Sequence, residues 1–62
     1  MTANLEQEVR DAEGAAWRSL AAYKFVMFGY HVGVWVHLNR LRERPGPNPF
    51  RELVHIARRQ TT

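Results

Sequence analysis

From Asn4 to about Arg42 the chain contains no proline and no useful run of strand-like alternation; apolar side chains return every three or four residues, the period of an α-helix. The pattern predicts one long helix over residues 4–42. Asn4 stands as its N-cap with Gln7 three residues on, a capping-box spacing, and Glu6 and Glu8 complement the positive end of the helix dipole. Arg40, Arg42 and Arg44 complement the other end. Such a helix would be roughly 60 Å long, so it must bend or run beside something, and Gly14 is the expected early break. The segment Arg44-Pro45-Gly46-Pro47-Asn48-Pro49 cannot be helical, because its prolines remove donors and push the residues before them toward extended conformations. It is read as a turn. Asn48 then caps a short second helix over 49–60 with Pro49 at its first position, with Phe50, Leu53, Val54 and Ala57 on one side and Arg51, Glu52, Arg58 and Arg59 on the other. The expected fold is all-α: a helical hairpin in a single domain, 1–62, the long helix folded back on the short one.

The long helix presents two faces. Placed at about 100° per residue, Trp17, Leu20, Met27, Phe28, Trp35 and Leu38 share a bulky face, read as core or partner contact. Opposite it lie Ala15, Ser19, Ala22, Val26, Gly29 and Gly33, small side chains that permit close approach of another helix backbone. One short helix covers only part of the bulky face. The small face is therefore expected to pack against a second copy, giving a homo-oligomer of two chains or more.

Composition sharpens this expectation. A chain of 62 residues buries too little surface to be comfortably stable alone, and without cysteine it has no disulfide or thiolate metal site to staple it. His31, His37 and His55 include no pair spaced three or four apart, so no metal is expected. The net charge of +3 hides a gradient. Residues 1–16 set Glu6, Glu8, Asp11 and Glu13 against Arg10, while residues 40–62 set six arginines against Glu43 and Glu52. An acidic head and a basic tail favour antiparallel pairing of two copies. The N-terminus is acidic where a secretory signal would be basic and apolar, which points to the cytoplasm.

Candidate chemistry is sparse. His31 and Lys24 sit seven residues apart on the bulky face, where packing explains them better than a titrating pair; Tyr23, Tyr30 and His37 form a second stripe of interface hydrogen bonders. No glycine-rich phosphate loop, no serine beside a base and no paired carboxylates flanking a cleft are present, so neither enzymatic activity nor a cofactor is expected. Arg40, Arg42, Arg44, Arg51, Arg58 and Arg59 are placed to contact anions, which supports an alternative reading as a basic nucleic-acid-binding regulator. Residues 20–38 are apolar enough to suggest a second alternative, a single-span membrane subunit, against which Lys24, His31 and His37 inside the window count.

The runs Trp17-Arg18-Ser19-Leu20, Tyr23-Lys24-Phe25, Met27-Phe28-Gly29-Tyr30 and Trp35-Val36-His37-Leu38-Asn39-Arg40 resemble small helical proteins encoded by actinobacterial phages. The resemblance covers the central helix and implies an accessory or host-directed protein that binds another protein. It carries no site residues.

Overall fold

The computed structural model describes residues 4–61, and every regular element among them is helical. Helix α1 spans Leu5–Ala21, α2 Phe25–Arg40 and α3 Arg51–Gln60. Residues 1–3 and 62 of the expected domain lie outside the described residues. At the start of α1, Asn4 is extended and its Oδ1 accepts the Gln7 backbone N–H at 3.2 Å, with Glu6 and Glu8 in the first turn. Only half of the capping box forms. The Gln7 side chain runs forward along the helix instead, donating to Asp11 Oδ1 at 2.8 Å and accepting from Arg10.

The single helix expected over 4–42 is two helices, and the break is not at Gly14. That glycine lies inside α1, where a Cβ would stand 3.1 Å from the Arg18 guanidinium. The chain reverses at Ala22, Tyr23 and Lys24, where Tyr23 takes the left-handed conformation with φ 61°. Two crossed hydrogen bonds close the helix there: Lys24 N–H donates to the Ser19 carbonyl at 2.8 Å and Tyr23 N–H to Leu20 at 3.0 Å, a Schellman motif with tyrosine where glycine is usual. No local breaker explains it, since α1 ends on Ala21, the turn begins with Ala22, and no glycine or proline stands within it. The gain is tertiary. Folding α2 back antiparallel to α1 buries Val9, Ala12 and Ala16 against Trp35, and this burial outweighs local helix preference.

Phe50 completes the core from beyond α2. Its ring lies 4.8 Å from Trp17, 5.7 Å from Phe28 and 6.0 Å from Trp35, centroid to centroid, the last two pairs edge to face. The fold-back that builds the molecule is thus α1 on α2, not a long helix on α3. Backbone atoms of α3 keep more than 8 Å, Cα to Cα, from both other helices, and Leu53 is its one side chain packed against the core.

Residues 41–50, which hold the three prolines, are free of helix. Asn39 clamps this segment: its Nδ2 donates to the Gly46 carbonyl at 3.0 Å and its Oδ1 accepts the Gly46 N–H at 2.9 Å. Arg42 adds Nη1 to the same Oδ1 at 3.0 Å and reaches across to Glu6 with Nε and Nη2, at 3.0 and 2.8 Å. One polar cluster therefore ties the start of α1, the end of α2 and the following segment together. Gly46 sits close to this cluster: a Cβ there would stand 3.1 Å from Arg42 Nη1, so a larger residue would push the guanidinium aside by a few tenths of an ångström. Helix α3 starts at Arg51, two residues later than the spacing predicts; Asn48 Oδ1 accepts the Phe50 N–H at 2.7 Å, forming an Asx turn ahead of the helix.

Candidate interaction surface

The bend redistributes both faces read from a straight helix. Of the bulky set, Trp17, Phe28 and Trp35 now converge on Phe50 from opposite helices, Leu20 and Leu38 are half-buried, and Met27 is exposed. Much of the surface assigned to core or partner contact is covered within the chain.

The small-residue set does not form one face, because the turn separates its halves. Ala15, Ser19 and Ala22 line a groove between α1 and α2, whereas Val26, Gly29 and Gly33 are exposed on α2, with open space around each glycine where a Cβ would stand. Trp17 stands about 200° around α1 from Ala15, so the groove opens on the side of the hairpin away from Phe50.

That groove consists of two adjoining depressions of about 250 and 440 Å³ that share Ala15, Arg18 and His31. Its floor is Ala12, Ala15, Val34 and Leu38, all apolar. Charge divides it lengthwise. Glu8 and Asp11 stand at one end; Arg18 and Lys24 stand toward the turn, with His31 beside them. His31 and Lys24 thus share a lining, as their spacing suggests, and the Tyr30 ring meets His31 edge-on at 5.2 Å. Ser19 lines the same end, with no hydrogen bond joining it to His31. Tyr23 leaves the stripe expected for it with Tyr30 and His37, since it belongs to the turn.

Around the groove much apolar surface remains open. Tyr23 is 81% exposed and Val26 86% exposed, with Phe25 and Tyr30 more than half exposed beside them. On α3, Leu53, Ile56 and Ala57 fall on one side at helical spacing with Val54 at its edge, and Val54 and Ile56 are 47% and 44% exposed. Glu52 and Arg59, seven residues apart, flank this apolar side together.

The six arginines do not act as one patch. Arg42 is engaged with Glu6 and Asn39, while Arg40, Arg44, Arg51, Arg58 and Arg59 are exposed along the end of α2, the proline-bearing segment and α3. Sequence reading missed the Asn39 clamp and the central place of Phe50. A glycine between two prolines, seven residues after an asparagine at a helix end, was the available signal for the first. Among the described residues no three His, Asp or Glu side chains group as a metal site, and no helix is long and apolar enough to cross a membrane; the window 20–38 is cut by the turn. No family model matches the chain, and neither a curated protein nor a solved structure matches it.

Proposed function

We propose that the protein is a self-associating helical interaction module with no catalytic role, as a phage-encoded accessory or host-directed protein of the cytoplasm would be. One observation carries this reading: an amphipathic helix, α3, leaves Val54, Ile56 and Ala57 of its apolar side uncovered beside a hairpin that leaves an apolar groove and the outer side of α2 uncovered. Only Val9, Ala12, Ala16, Trp35 and Phe50 are buried among the described residues, which is little core for a chain this size. Covering the remaining apolar area at about 25 cal/mol per Å² is the available source of further stability. A shallow groove with no serine–histidine hydrogen bond suits binding better than bond-making. Light scattering on the purified chain across a hundredfold range of concentration tests the reading. Mass rising to that of a dimer or more, with melting temperature rising alongside, supports it; a folded monomer throughout refutes it.

The exposed arginines carry a second reading, nucleic-acid binding. It requires an affinity that falls steeply as salt rises and falls again in Arg58→Ala with Arg59→Ala; a salt-insensitive interaction excludes it.

A further inference from the structure

Resting on the reading of self-association, we infer that the groove between α1 and α2 receives α3 of a second copy, lying antiparallel to α1, and that two copies exchange this helix reciprocally. The apolar surfaces match in kind: Ile56 and Ala57, with Val54 at their edge, face a floor of Ala12, Ala15, Val34 and Leu38, the helix-in-groove mode of recognition, while Leu53 stays against the core of its own chain. Charge sets the direction. Glu52 and Arg59 stand seven residues apart on one flank of α3, about 10.5 Å along its axis, and Asp11 and Arg18 stand seven residues apart on the α1 rim, the same distance. With α3 antiparallel to α1, Glu52 meets Arg18 as Arg59 meets Asp11, and the handedness of the helix puts that flank over α1 and Val54 over α2. The parallel orientation would turn this flank away from α1.

The chain cannot fill its own groove in this way. Phe50 is buried among Trp17, Phe28 and Trp35 on the opposite side of the hairpin, and α3 begins at the next residue. A symmetric pair solves this at once, since each copy offers the same groove and the same helix and the contact closes at two.

A charge exchange in trans tests the inference on the full chain. Arg18→Glu and Glu52→Arg each replace two opposite-charge pairs per dimer with two like-charge pairs, and each alone should weaken self-association by about tenfold. Mixed one to one, they should restore wild-type affinity, because every groove then meets an α3 of opposite charge. Ile56→Asp should abolish the dimer while far-UV circular dichroism stays that of the wild type, Ile56 lying outside the core. A wild-type dimer whose affinity none of these substitutions changes, or variants that stay weak on mixing, would overturn the exchange and leave self-association standing through another face. A wild type that is monomeric at every concentration would end both, leaving the groove to a partner of another kind.

Discussion

Tyr23 carries the clearest conflict between side chain and backbone. A non-glycine residue in the left-handed region costs roughly 1–2 kcal/mol, and this one is too exposed to recover it by burial; its main visible contact is an edge-on meeting with Phe25 at 6.1 Å. Tyr23→Gly should therefore stabilise the fold by about 1 kcal/mol, less the entropy glycine adds to the unfolded chain, read as a rise in thermal midpoint. A lower midpoint would mean that the ring supports the turn. Trp35 shows a second conflict, for it is 3% exposed and its indole N–H has no hydrogen-bond partner. Trp35→Ala should cost about 3–5 kcal/mol. Trp35→Phe should cost far less, since it removes an orphaned donor whose burial costs about 1–3 kcal/mol while keeping a ring against Phe50. Equal losses in the two variants by urea unfolding would show that the N–H is satisfied.

At the scale of elements, the helical periodicity and the N-cap of α1 were legible in the sequence, because apolar spacing and capping are local. The reversal at residues 22–24 was not. Its cause is the fit of Ala12 and Ala16 against Trp35, a contact between residues about twenty positions apart that no local rule encodes. Half of the small-residue set consequently lines the groove, and the other half stands on the outside of α2. Gly29 and Gly33 meet open space, so Gly29→Ala and Gly33→Ala should each raise stability by about 1 kcal/mol without changing the mass in solution. A loss of assembly in either variant would return the outer side of α2 to the interface. The clamp at the other end of the hairpin invites a sharper test. Asn39→Leu leaves the Gly46 N–H and carbonyl without their partners and should cost about 2 kcal/mol, with the Gly46 amide the first in its segment to lose protection from hydrogen exchange. Unchanged exchange would show that the arginine and Glu6 hold the segment alone.

The molecule as a whole is a hairpin with an arm. Its Cα extents of 46 × 25 × 12 Å describe a flat, elongated body, and the short span between α1 and α2 governs how that body comes into being. Helices joined by so few residues find each other by a brief local search, on the microsecond-to-millisecond scale typical of helical proteins with near-neighbour contacts. Two chains at micromolar concentration, colliding productively at about 10⁵–10⁷ M⁻¹s⁻¹, need roughly 0.1 to 10 seconds to meet. Each hairpin has therefore finished forming long before a second one arrives. Refolding followed by stopped flow would separate a fast phase blind to protein concentration from a slow one proportional to it.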